Sequence, residues 1–286
     1  MRGPAVCLAL LLTACGASAV ADDDDDQPAI DARIDAVTSD ADDLDFSKVY
    51  AHSGTVLYRL DTGTLQPVEI GPFGLASGSI TDIAVDKNDR MLGVSLDNIY
   101  VIDTATGAAT LVRAYDGDEN FTSLSFVPVD IQDPNSAERL VAATDEGTVL
   151  EINENTGATT QIGAYGTTAN GLIRSSGDIV AIYGLGIFAT VTIGDDPDYS
   201  EPDHLAVINP STWAATPLGV GTTYDRIFGI GFWKGKVYGF VDTTTGGIII
   251  ELNPNTGAVV GAPVTGPVRW FGAGVTTDAP IIGKPR

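Results

Sequence analysis

The stretch Ile249-Ile250-Glu251-Leu252-Asn253-Pro254-Asn255-Thr256-Gly257-Ala258-Val259-Val260-Gly261 reads as an apolar strand, a tight turn at an Asn, and a second strand leaving the turn. The same pattern recurs upstream as LYRLDTGTLQPVEIG (57–71), IYVIDTATGAATLV (99–112), VLEINENTGATTQIG (149–163) and LAVINPSTWAATPLG (205–219). The residue that ends each first strand is Asp61, Asp103, Asn153, Asn209 or Asn253, so successive units are 42, 50, 56 and 44 residues apart. Self-similarity at that spacing marks an array of small sheets, each too thin to bury its own faces. Asp and Asn suit the turn because their side chains bond the backbone two residues on, which gives these five a local structural task rather than a catalytic or metal-binding one.

Between anchors each unit holds two more strands. The first complete unit reads ITDIAV, RMLGVS, NIYVID, AATLVR; the second FTSLSFV, RLVAATD, TVLEIN, TTQIGAY; the fourth RIFGIGF, KVYGFVD, GIIIELN, AVVGAPV. The third reads ANGLIR, DIVAIY, HLAVIN, AATPLGV, with Gly184–Asp203 as an acidic insertion holding one hairpin at most. At the N-terminus KVYAHSG, TVLYRLD and LQPVEIG lack a first strand, and near the C-terminus WFGAGVTTD is a first strand without partners. Joined, they complete one more unit. The expected fold is therefore an all-β, five-bladed β-propeller of four-stranded antiparallel blades, closed by a blade shared between the termini. Pro67, Pro217 and Pro263 fall at strand edges or turns, where a missing N–H is tolerated. Aligned first strands place Asp82, Ser123, Gly171, Gly229 and Gly272 at equivalent positions, which predicts a narrow and mostly uncharged axis.

The strand-Asp-x-x-Thr-Gly-strand units from Lys48 to Asp278 resemble the bacterial propeller superfamily of YVTN, NHL and quinoprotein-type repeats. That resemblance implies a blade, not an activity, because such folds serve as hydrolases, dehydrogenases, lectins and assembly platforms. Quinoprotein dehydrogenases imply a larger ring with more tryptophan and a calcium-bound cofactor; a chain with three Trp departs from that pattern. No cofactor is expected.

Arg2, an apolar run from Ala5 to Leu12, and Leu12-Thr13-Ala14-Cys15 read as an export signal too short to span a bilayer. Leu-Thr-Ala-Cys resembles the lipobox of bacterial lipoproteins, which implies acylation of Cys15 and, with Gly16 following, the outer membrane. The competing reading is cleavage after Ala17-Ser18-Ala19, which releases a soluble periplasmic or secreted protein starting at Val20. The expected divisions are 1–15 signal and lipobox, 16–46 acidic tether and 47–286 propeller. From Ala21 to Phe46 the chain carries eleven Asp and one Arg, too little apolar material for a core and enough charge to extend. Removing the tether's net −10 and the +1 of Arg2 from the total of −23 leaves an acidic body at −14, a poor partner for nucleic acid or anionic lipid. The two cysteines, Cys7 and Cys15, both lie in the leader, so disulfides do not hold the fold.

Ligands of propellers usually meet the loops that lead into the first strands. Those loops carry Phe73, Tyr115, Tyr165 and Tyr224, which would form an open ring of aromatic faces suited to sugars or methylated amines, or would instead seal the blade junctions. Asp82 is the acid at a first-strand position, with Asp116, Asp118, Glu119 and Asp225 in surrounding loops. A glycosidase needs two carboxyl groups facing each other about 5–10 Å apart. A serine triad lacks its nucleophile elbow, and two histidines, His52 and His204, make a histidine-rich metal site a poor fit. The acidic insertion lacks the spaced order of a calcium loop, which leaves calcium binding there open. Together these readings predict a monomeric, membrane-tethered binding or scaffold module for an envelope protein or glycan, with a channel hydrolase of glycosidase or esterase type as the alternative.

Overall fold

The computed structural model describes residues 48–114, 121–196 and 200–281. Cys15, the tether, Tyr115, Asp116, Asp118 and Glu119 lie outside them. The described residues contain strands and turns but no α-helix.

The first blade contains β1 (Val49–His52), β2 (Val56–Asp61) and β3 (Gln66–Pro72). The second holds β4 (Asp82–Val85), β5 (Met91–Val94), β6 (Asn98–Ile102) and β7 (Ala109–Ala114), and the third β8 (Phe121–Pro128), β9 (Glu138–Thr144), β10 (Thr148–Ile152) and β11 (Thr159–Ala164). The fourth has a two-residue β12 (Thr167–Thr168), then β13 (Gly171–Ile182), β14 (Gly186–Ile193), β15 (His204–Ile208) and β16 (Ala215–Pro217). The fifth is β17 (Ile227–Trp233), β18 (Lys236–Asp242), β19 (Gly247–Leu252) and β20 (Val259–Gly266), and β21 (Gly272–Val275) ends the series. Strand order in the first sheet is β21-β1-β2-β3, with Val49 opposite Val275 and His52 opposite Gly272. The C-terminal strand thus supplies the innermost strand of the N-terminal blade, as expected, and the protein is a five-bladed propeller.

Burial falls from the axis outward. In the second blade every residue of β4 (DIAV) and β5 (MLGV) is buried, β6 (NIYVI) is buried except at Asn98 and Val101, and β7 (ATLVRA) is mostly exposed. Inner strands therefore need apolar or small residues at consecutive positions, whereas outer strands tolerate Pro67, Pro217 and Pro263. The core lies between neighbouring blades. At the closing seam Trp270 is fully buried, edge-on to Tyr58 and Phe240 with ring centroids 5.4 Å from each. Gly247 and Gly266 make room for it, since a Cβ on either would come within 2.8 Å of the indole.

All five anchors behave alike. The side-chain oxygen of Asp61 accepts the N–H of Gly63 and Thr64, Asp103 those of Ala105 and Thr106, Asn153 those of Asn155 and Thr156, and Asn209 those of Ser211 and Thr212; Asn253 accepts that of Asn255. The residue four after the anchor has positive φ in every turn: Leu65 (56°), Gly107 (80°), Gly157 (77°), Trp213 (64°) and Gly257 (69°). Glycine takes that conformation freely; Leu and Trp take it at a cost of about 1–2 kcal/mol. Trp213 offsets the cost by burial, with the Arg139 guanidinium 5.2 Å from its ring.

The fourth blade corrects the sequence reading. ANGLIR and DIVAIY are not two strands of a hairpin but the halves of one strand, β13, whose register breaks between Ser175 and Ile179. The hairpin turn comes later, at Gly184 (φ 72°), and β14 inside the supposed insertion is the second strand of the blade. Gly177 permits the bulge to press on the fifth blade: a Cβ there would collide with the Ile227 carbonyl. The residue equivalent to Asp82 is consequently Asp178, not Gly171.

Candidate functional site

Five residues begin the axial runs of the inner strands: Asp82, Ser123, Asp178, Gly229 and Gly272. The acids share a local motif, Asp-Ile followed by small apolar residues, and a shared bonding pattern. Asp82 Oδ1 accepts the N–H of Ile83 at 2.8 Å, and its Oδ2 accepts the N–H of Leu124, on the next blade, at 2.6 Å. Asp178 repeats this with Ile179 at 2.6 Å and, on the fifth blade, Ile230 at 3.1 Å. Gly272 of β21 lies against Asp82 Oδ1, and the two carboxyl groups lie within hydrogen-bonding reach of each other. Between them the two side chains touch all five blades.

The glycines are spacers for this arrangement. A Cβ on Gly272 would collide with Asp82 Oδ1 and His52 Nε2, and one on Gly229 would lie 2.5 Å from the Gly272 carbonyl carbon. His52, at the end of β1, is fully buried; its Nδ1 is 2.8 Å from the Ser53 carbonyl and so carries the hydrogen. Its Nε2 lies 3.8 Å from Asp82 Oδ1 and has no hydrogen-bond partner among the described residues. Burial lowers the His52 pKa to about 4, which holds the ring neutral.

Asp82 and Asp178 are 2% and 0% exposed. Burial, above all, holds both carboxyl groups well above the usual carboxylate range; for Asp82 the neighbouring Asp178 adds to this, and the backbone donors only partly offset it. A second buried acid, Asp203, accepts the N–H of Ile227 at 2.8 Å and is pushed by burial up to about 7. Among the described residues no group of three or more His, Cys, Asp and Glu is arranged to hold a metal ion. In the 194–203 segment Asp196 is occupied with the N–H groups of Ser200 and Glu201, and Asp195 pairs with Arg174 at 2.8 Å.

The structure brings Asp82 to the axis and disperses Phe73, Tyr165 and Tyr224. Phe73 and Tyr165 are each 1% exposed. Phe73 packs with Tyr50, Ile80 and Tyr100, and lies edge-on to His52 at 5.8 Å; Tyr165 packs with Ile173, Val149 and Trp213. These rings fill the wedges between blades, so the open aromatic mouth expected at Phe73 and Tyr165 is corrected to a pair of core residues. Tyr224 is half-buried against the apolar cluster of the closing seam, and Asp225 lies beside Arg226 at 3.5 Å. Sequence reasoning missed Asp178 and His52. The repeat of Asp-Ile at 82–83 and 178–179 was the available signal.

No protein-family model matches the chain, and no curated protein sequence matches it. Solved structures do. A protein of unknown function from Bacteroides caccae is similar at 14% identity and TM-score 0.39, over 76% of this chain and 72% of that one. Another of unknown function, from Bacteroides thetaiotaomicron, is similar at 14% identity and TM-score 0.46, over 68% of this chain and 53% of that one. BamB from Moraxella catarrhalis is similar at 13% identity and TM-score 0.35, over 74% and 68%. At such distances the fold rests on the pairing of the strands themselves, which make this chain a five-bladed propeller closed by its own C-terminus.

Proposed function

We propose that the chain is an exported propeller, lipid-anchored through Cys15 in the bacterial cell envelope at the outer membrane, that acts as a binding or scaffold module for an envelope protein or glycan. The signal, lipobox and acidic spacer in the sequence support the address. The observation that carries the activity is the occupation of the axial acids: their oxygens hold backbone N–H groups of neighbouring blades. Their task is to fix the ring, which leaves the working surface to the loops. The β5–β6 loop and the loops into β17 and β21 lie at the axial-acid end of their blades, and they expose Leu96 (70%), Val220 (99%) and Phe271 (39%).

Photo-crosslinking tests this. A photoreactive residue at Leu96 or Val220 in the full-length lipoprotein, activated in its own envelope, should capture a discrete protein, and one at Leu185 on the opposite end should not. Capture from Leu185 alone would sink the assignment of the face. No capture, together with a melting shift on adding an envelope glycan, would give the glycan version of the reading.

The hydrolase alternative draws on the pair itself, since a carboxylic acid beside a carboxylate can divide acid and base roles. Glycosidases separate these groups by about 5 Å or more to admit the sugar, whereas Asp82 and Asp178 are in contact and buried. Hydrolysis of a glycan or ester by the parent, lost in a folded Asp82→Asn protein, would establish this alternative in place of the scaffold.

A further inference from the structure

The axial pair is an unusual thing to bury. Two carboxyl groups in hydrogen-bonding reach, shielded from water, cannot both be ionised without a cation between them, because neither solvent nor protein screens their repulsion. The ionisable groups that face them among the described residues are His52 on β1, which is neutral, and the Tyr165 phenol after β11, whose own ionisation burial opposes. The inner strands β8, β17 and β21 bring Ser123, Gly229 and Gly272, none of which supplies positive charge. The backbone N–H donors from Ile83, Leu124, Ile179 and Ile230 are enough to hold one negative charge.

We propose that Asp82 and Asp178 carry one proton between them, and that this shared proton is a latch on the ring. With the proton in place, one group is an acid donating to the other's carboxylate, and the axis carries a single charge. Hydroxide removes the proton as water and leaves two carboxylates in contact where the five blades meet. The two can separate only by giving up the N–H groups of Leu124 or Ile230, so the ring loosens from the axis outward. An alkaline surrounding therefore opens the propeller at the end that carries its axial acids, and a neutral or mildly acidic one closes it.

Infrared spectroscopy of the folded parent at about pH 8, above the Asp203 transition, tests the proton directly. The carbonyl stretch of a buried carboxylic acid should be present, and should disappear in both Asp82→Asn and Asp178→Asn, in which an amide N–H replaces the shared proton. The parent's melting temperature should fall on alkalisation, with that fall reduced by at least half in either variant. Absence of the acid band in the folded parent, or a band of undiminished size in both variants, would overturn the shared proton. An alkaline melting profile equally steep in the variants would overturn the latch. Should one variant fail to fold, the parent's spectrum and the other variant still decide.

Discussion

Asp61 and Asp82 do the same thing in two places. Each carboxylate accepts two backbone N–H groups, Gly63 and Thr64 for the turn residue, Ile83 and Leu124 for the axial one. Yet the Asp61 carboxyl is held below its ordinary pKa by its backbone bonds, while that of Asp82 is driven well above it by burial and by Asp178. Backbone donors favour the charged form in both cases. Removing water and adding a second acid outweighs them only at the axis. The difference separates a residue that shapes its own hairpin from one that links different blades, at an electrostatic cost the turn never meets.

The largest effect should come from taking away the strand that completes the axis. Deleting residues 267–286 removes Trp270 from the seam and Gly272 from beside Asp82. The expected outcome in a calorimetric or circular-dichroism melt is loss of the cooperative transition. A truncated chain that melts as cooperatively and as high as the parent would refute closure by this strand.

Next are Asp178→Ala, which leaves the amides of Ile179 and Ile230 buried and unpaired, and Asp82→Ala, which does the same to Ile83 and Leu124. At about 1–3 kcal/mol for each unsatisfied group, the loss in denaturant unfolding should reach roughly 2–6 kcal/mol for either variant. A loss below about 1 kcal/mol in both would mean that the axial acids do not hold the ring.

Asp203 sharpens the comparison through pH. Its folded pKa of about 7 lies above the ordinary value, so its contribution is fully present below about pH 4 and is lost as pH rises through 7. The axial pair has the same sign. His52 has the opposite one: its folded pKa of about 4 lies below 6.5, so its contribution is present above that value and is lost as pH falls toward 4. Melting temperature should therefore decline from about pH 5 to pH 9, and Asp203→Asn, which keeps an acceptor for Ile227, should remove the part of the decline that ends near pH 7. A parent that gains stability over that range would contradict the burial argument.

The smallest effect belongs to the turns. Asp103→Ala removes two exposed bonds, to Ala105 and Thr106, that water can replace. About 1 kcal/mol or less is expected by denaturant unfolding, and a loss comparable to that of Asp178→Ala would erase the distinction between axis and turn.

Much of this was legible before the structure. The turn residues recur because five hairpins need the same bend, and WFGAGVTTD announced the closure because a propeller leaves no strand unpaired. What failed was the fourth blade. Ser175-Ser176-Gly177 between two apolar runs looks like a hairpin turn, and only the approach of Gly177 to the Ile227 carbonyl reveals a bulge in one strand. That single misreading moved the alignment from Asp178 to Gly171 and hid the partner of Asp82. Phe73 and Tyr165 failed differently. An aromatic residue repeated at one blade position fits an open mouth and a sealed junction equally well, and the choice depends on packing from a neighbour distant in sequence.

Native-state hydrogen exchange tests the central claim, that the axial carboxyl groups hold the blades together, most directly. The amides of Leu124 and Ile230 should be among the slowest in the protein, exchanging only with global unfolding, while those of Thr64 and Thr106 in the exposed turns exchange through local opening. Axial amides that exchange as fast as the turn amides would mean that the axis opens on its own, and that the ring is held elsewhere.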